Sequence, residues 1–140
     1  MWASEPIPFD PMEVAIHDAY EQYIIIDERK NYSIRHEYPL SGKPPMMTHI
    51  FENDAAHRII AVKGAPEALI NSSKLSSAQK ETIEKVMFTF ASEGYRILAI
   101  GESYFDGNHF AKTQQELKVS FKGLVAFYDP PKENIRCVIQ

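Results

Sequence analysis

One short stretch, Val62-Lys63-Gly64-Ala65-Pro66-Glu67, limits what this chain can fold into. The residues leading to it, His57-Arg58-Ile59-Ile60-Ala61-Val62, are largely apolar and partly β-branched, which predicts a strand. The residues after the joint, Ala65-Pro66-Glu67-Ala68-Leu69-Ile70, predict a short helix. Proline fits its first turn, where no intrahelical N–H is needed, and the glutamate suits the positive end of the helix dipole. Gly64 stands where the backbone must turn sharply or be closely approached. Lys63 is therefore expected at a strand end beside the free N–H groups of a helix start, where a cation can hold an anion or a polar ring. The competing reading is a lysine that lies along the strand end with its head in water and carries little packing.

The chain has 140 residues, enough for one domain with one core. Its net charge of −4 argues against a binder of nucleic-acid backbones, which needs a basic stripe. The single cysteine, Cys137, cannot form an internal disulfide, which suits a reducing compartment. No apolar run approaches the length of a membrane span, and the first residues carry Glu5, Pro6, Pro8 and Asp10 where a signal peptide has a basic and then an apolar region.

Along the chain, Asp10-Pro11-Met12-Glu13 has the layout of a helix start, with Asp10 as cap and Glu13 placed to return the capping bond. Apolar spacing through Met12, Ala15, Ile16, Ala19, Tyr20 and Tyr23 predicts a helix over 10–23. A strand is expected from Tyr32 to Leu40, with Tyr32, Ile34, His36 and Tyr38 on one face. The Ser41-Gly42-Lys43-Pro44-Pro45 turn, a strand from Met46 to Phe51, and the strand ending in Val62 complete an antiparallel set. Ser76 and Gln79 open a long helix over 76–93 that Gly94 ends. Further strands follow at 95–100 and 119–127, with a short helix expected at Thr113 to Leu117. Arg96 lies inside the apolar run Ile97-Leu98-Ala99-Ile100 and is read either as an edge arginine in water or as a partner for a carboxylate or an anionic ligand. Pro130 and Pro131 stop the last strand, and a helix that starts near 131–134 is cut off by the end of the chain, which suggests a piece of something larger. The fold class is α+β: a twisted, mainly antiparallel sheet flanked by helices, with Ile16, Ile34, Ile60, Val62, Leu69, Val86, Phe90, Leu98, Val125 and Phe127 as expected core.

Five separated motifs, in order, resemble the nucleotide-binding (N) domain of P-type cation-transporting ATPases, in the calcium- and sodium-pump-like branch. They are Asp10-Pro11-Met12-Glu13-Val14-Ala15-Ile16; Glu37-Tyr38-Pro39-Leu40 with Met47-Thr48-His49; Lys63-Gly64-Ala65-Pro66-Glu67; Gly94-Tyr95-Arg96-Ile97-Leu98-Ala99; and Gly123 through Pro131. The resemblance implies a lead-in at 1–9, an ATP-binding domain over 10–128 and, at 129–140, the start of a return to a phosphorylation domain. It implies that Lys63 lies at an adenine pocket, that Gly64 lets the base approach, that Tyr38 stacks on the ring, that Glu13 contacts base or ribose, and that Arg96 reaches the phosphates. The cofactor it implies is ATP, as Mg-ATP in the full-length protein. Its implied partners are adenine nucleotide and the phosphorylation and actuator domains, with no nucleic acid, at the cytoplasmic side of an integral membrane protein.

Many members of that family have Phe where Tyr38 stands, and a second basic residue after the aromatic has only Lys43 as its counterpart. The family's phosphorylated Asp-Lys-Thr-Gly motif does not occur, and neither does a P-loop. Such a chain is expected to bind nucleotide without hydrolysing it, with no catalytic residue of its own. The alternative is a non-enzymatic interaction or regulatory domain that kept the fold and lost nucleotide binding. His17, His36, His49, His57 and His109 show no metal-ligand spacing, so no metal site is expected.

Overall fold

The computed structural model describes residues 1–128. The helix start expected at 131–134 lies outside them, as do Cys137 and the expected return segment. The elements are α1 (Pro11–Tyr23), β1 (Tyr32–Ser41), β2 (Met46–Asn53), β3 (Arg58–Gly64), α2 (Pro66–Ser72), α3 (Ser77–Ser92), β4 (Arg96–Ser103) and β5 (Val119–Phe127). The strands form one sheet in sequence order, and every neighbouring pair is antiparallel. With three helices beside it, this is the α+β fold expected.

Local chemistry sets the element ends. The Asp10 carboxylate caps α1 by accepting from the backbone N–H of Met12 at 2.8 Å and of Glu13 at 3.0 Å. At α3 the capping box is complete: Ser76 Oγ accepts from the Gln79 N–H, and the Gln79 side chain accepts from the Ser76 N–H. Gly94, at φ +86°, ends α3. The Tyr95 N–H donates to the Phe90 carbonyl and the Gly94 N–H to that of Ala91, while the Phe90 and Tyr95 rings meet edge to face at 5.3 Å.

One face of the sheet is packed. Met46, Val62, Ala99 and Val119 meet Ala68 and Leu69 of α2, and Tyr38, Ile50 and Ile60 meet Leu117 from the segment before β5. Gln114 ties that segment down. Its side-chain nitrogen lies 2.9 Å from the Pro39 carbonyl and 2.7 Å from that of Met46, and its Oε1 accepts from the Thr48 hydroxyl.

The strand β1 departs from simple alternation. Ile34 opposes Phe51, but His36 opposes Ile50, so a bulge at Arg35 puts Tyr32 and Ile34 on one face and His36 and Tyr38 on the other. The expectation of four side chains on one face is thereby corrected. Ile34, expected in the core, is 48% exposed on this edge strand, and Val86 of α3 is 40% exposed. Ile60, Val62 and Leu69 are buried as expected, whereas Ile16, Phe90, Leu98, Val125 and Phe127 are half-buried. The sheet is packed on both sides only over its central strands, so a periodic apolar pattern overstates burial at its edges.

Candidate functional site

Cross-strand register assigns each candidate to a face, because directly opposed residues point the same way. Lys63 lies opposite Met47 on β2 and Ile100 on β4, and Ile100 lies opposite Gly123 on β5. This row crosses the face away from α2. Between the pairs Tyr38–Thr48 and Ser41–Met46, β1 has one residue more than β2. That second bulge turns Leu40 to the Lys63 face, beside Met47. The row therefore reads Leu40, Met47, Lys63, Ile100, Gly123. Leu40 is 65% exposed, Ile100 is 38% exposed, and a Cβ placed on Gly123 would have open space around it.

The Lys63 side chain does not reach for water. It is 8% exposed, and its Nζ donates to a carboxylate oxygen, Oε1, of Glu13, itself 9% exposed. Ser4 Oγ lies 3.4 Å from the same nitrogen. Burial of a lone ammonium is costly, and the carboxylate offsets that cost. Glu13 thus does not return the bond expected of it in a capping box; Asp10 caps α1 alone, and Glu13, the one buried residue of α1, points inward. The other carboxylate oxygen, Oε2, is buried with no hydrogen-bond partner among the described residues. An acceptor left open on a buried carboxylate fits a donor from outside the chain.

Arg96 is exposed near the start of β4, four residues from Ile100 and thus on the same face, about 13 Å along the strand from the Lys63 row. It lies opposite Phe127. Glu13, Lys63 and Arg96 therefore share one side of the sheet.

Tyr38 is on the other side. It is 7% exposed, its ring packs with Ile50, Ile60 and Leu117, and its hydroxyl donates to the Ala111 carbonyl at 2.6 Å. Burial, with a smaller contribution from the Glu116 carboxylate, pushes its phenol pKa up. Gly64 is buried against β2. A Cβ there would lie 2.6 Å from both Met46 Cα and the Pro45 carbonyl oxygen. The close approach that requires glycine is thus made by the chain's own backbone, although Gly64 also borders an open apolar recess of about 690 Å³ with Leu40, Ala65 and Leu98. Three residues beside Lys63 carry no role in the sequence reading: Ser4, and Met47 and Leu40, which it quotes only as members of a motif. For Leu40 the signal is Pro39 and the proline-rich turn behind it, which favour a break in regular pairing.

No helix among the described residues is long and apolar enough to cross a membrane. Residues 9–134 match the family model described as P-type ATPase, cytoplasmic domain N. The chain is 27% identical over 143 residues to the sodium/potassium exporting P-type ATPase cta3 of Schizosaccharomyces pombe, covering 94% of this chain and 14% of the relative. It is 28% identical over 144 residues to a calcium-transporting ATPase of Bacillus subtilis, covering 94% of this chain and 16% of that protein. Against calcium-transporting ATPase 1 of Saccharomyces cerevisiae it is 26% identical, with 94% of this chain and 15% of the relative covered. The chain thus spans about one-seventh of the length of these curated relatives. With the match extending over nearly all of its residues, the chain belongs to the family of P-type ATPase cytoplasmic N domains.

Proposed function

We propose that this domain binds an adenine nucleotide on the sheet face that carries Lys63. The observation that carries the reading is the buried Lys63–Glu13 pair with its open carboxylate oxygen, set in a cross-strand row with buried Met47 and exposed Leu40 and Ile100. An adenine ring is a flat apolar surface with an amine at its edge. The ring would lie against Leu40, Met47 and Ile100, and the amine would donate to Glu13 Oε2. Lys63 donates to Oε1 and so orients the carboxylate. The Gly64 joint keeps Lys63 in place, and Arg96 would meet the phosphates with a planar, permanently charged fork.

In the full-length protein the domain would present the γ-phosphate of Mg-ATP to an aspartate in a separate phosphorylation domain, on the cytoplasmic side of a membrane cation transporter. Phosphoryl transfer needs that nucleophile and a metal clamp, which the Asp-Lys-Thr-Gly motif and its own domain would supply. Because the isolated domain contacts part of the nucleotide, the expected affinity is sub-millimolar to millimolar, about −4 to −5 kcal/mol.

The resemblance gives the stacking role to Tyr38, whereas the register turns Leu40 toward Lys63. Alanine at each position, with Tyr38→Phe as the control for the hydroxyl, separates these readings. A proton–nitrogen NMR titration with ATP, ADP and AMP is expected to move the resonances of Glu13, Lys63 and Arg96, with AMP matching ATP except near Arg96. Leu40→Ala should weaken binding and Tyr38→Phe should leave it nearly unchanged if the ring lies on the Lys63 face; Tyr38→Ala alone weakening it assigns the ring to Tyr38. If no nucleotide shifts these resonances at millimolar concentration, nucleotide binding is lost and the domain is an interaction module with the same fold.

A further inference from the structure

On the same sheet face, one strand pair away from Lys63, a histidine is buried without using one of its ring nitrogens. His49 is 1% exposed, and its Nε2 has no hydrogen-bond partner among the described residues. Its Nδ1 lies 3.2 Å from the Trp2 carbonyl oxygen and donates to it, which leaves Nε2 to the other side of the ring. That nitrogen faces two carboxylates. Glu37 is the direct cross-strand neighbour of His49, with Oε1 4.0 Å from Nε2, and Glu5 comes in from the segment that precedes α1. One donor atom from each of the three residues lies within 4.8 Å of the other two.

We propose that Glu5, Glu37 and His49 form a site for a first-row divalent cation of the zinc type. One imidazole and two carboxylates are a borderline-to-hard donor set that suits such an ion, and water would fill the remaining position. The Nδ1–H to carbonyl bond is the outer contact that orients a metal-binding histidine and fixes its tautomer. Two carboxylates converge on the unpartnered nitrogen of a buried ring, and a cation there would offset both negative charges. Ligand atoms on one tetrahedral zinc stand about 3.3 Å apart, so the glutamates must swing inward by roughly 1.5 Å. The Glu37 side chain is 43% exposed and has room to do so, whereas His49 is held by the sheet. The ion would fasten the first residues of the chain to β1 and β2. Glu5 follows Ser4, which touches Lys63, so the cation would steady one wall of the Lys63–Glu13 pair. The metal site itself does not depend on nucleotide binding.

Isothermal titration of the 140-residue chain with zinc chloride, followed by side-chain nitrogen NMR of the histidines, tests this. The expected result is one saturable site that moves the His49 Nε2 resonance and raises the thermal midpoint. Affinity should fall by about tenfold or more in Glu37→Gln and in Glu5→Gln, and persist in Cys137→Ser. The two glutamine variants alter side chains that the core does not enclose, so they retain the fold even if a His49 variant does not. Absence of saturable binding at millimolar zinc, or affinity unchanged in both glutamine variants, overturns the proposal. So does saturable zinc binding that leaves the His49 Nε2 resonance unmoved, since the ion would then lie elsewhere.

Discussion

Replacing Lys63 by Met in this domain removes the cation from a buried carboxylate while keeping most of the side-chain volume. Both side chains are at least nine-tenths buried, so solvent screens the pair little. Loss of one partner from such a pair costs about 3–5 kcal/mol, because the remaining charge is left uncompensated. With a urea dependence of about 2 kcal/mol/M for a domain of this size, the unfolding midpoint of Lys63→Met should drop by roughly 1.5–2.5 M. Glu13→Gln keeps an acceptor for the ammonium and should cost less, about 1.5–3 kcal/mol. The double variant Lys63→Met/Glu13→Leu removes both charges and should return to within about 1–2 kcal/mol of the parent. Urea unfolding of the four proteins, followed by circular dichroism, reads these differences. A Lys63→Met variant as stable as the parent would refute the buried pair and restore the sequence-based expectation of a strand-end lysine that carries little packing. A double variant recovered in stability but unable to bind ATP would separate the pair's two roles.

Three further outcomes follow from the geometry. Gln114→Leu leaves the buried Thr48 hydroxyl and Met46 carbonyl without their partner, so a loss of about 2–5 kcal/mol is expected in urea unfolding; a loss below about 1 kcal/mol would contradict the anchoring role. The Tyr38 phenol has a raised pKa, so above the ordinary value of 10.0 the folded state keeps a proton that the unfolded chain releases, and stability falls as pH rises through that range. Tyr38→Phe should cost about 1 kcal/mol at pH 7 and flatten the alkaline decline, leaving the part due to Tyr20, whose pKa burial and Asp27 also raise; an unchanged decline would place its cause elsewhere. Arg96→Met, at an exposed position, should weaken ATP binding by about fivefold and leave adenosine binding unchanged, as read by NMR titration; equal losses for both ligands would remove Arg96 from the phosphates.

The fold was legible because its elements announce themselves chemically. Asp10 and Ser76 cap helices, Gly94 ends one, and the strands at 58–64 and 119–127 are apolar runs bounded by turns. What the pattern could not give was the face of each β1 side chain. Alternation has a period of two, so each bulge reverses every assignment beyond it. The two bulges of β1 separate Tyr32 from Tyr38 and Tyr38 from Leu40, yet no residue in 32–41 is one that only a bulge accepts.

Glu13 shows a second limit, that of a local rule. Its position three residues after Asp10 satisfies a capping rule, and that rule accounts for the sequence without any tertiary contact. The choice between capping and pairing is made fifty residues later, by a lysine whose own burial needs a carboxylate. Asp10 already accepts from two of the free N–H groups of α1, so the helix start tolerates losing Glu13 to the sheet. One acid at the cap frees the other for the site. Substituting Asp10 therefore acts on Glu13 as well: Asp10→Ala should destabilise α1 by about 1 kcal/mol and draw Glu13 back toward the helix start. The Lys63–Glu13 pair and nucleotide affinity should weaken together, although residue 10 touches neither Lys63 nor the proposed ligand. A variant that loses helix stability while its ATP titration matches the parent would show that Lys63 alone fixes Glu13.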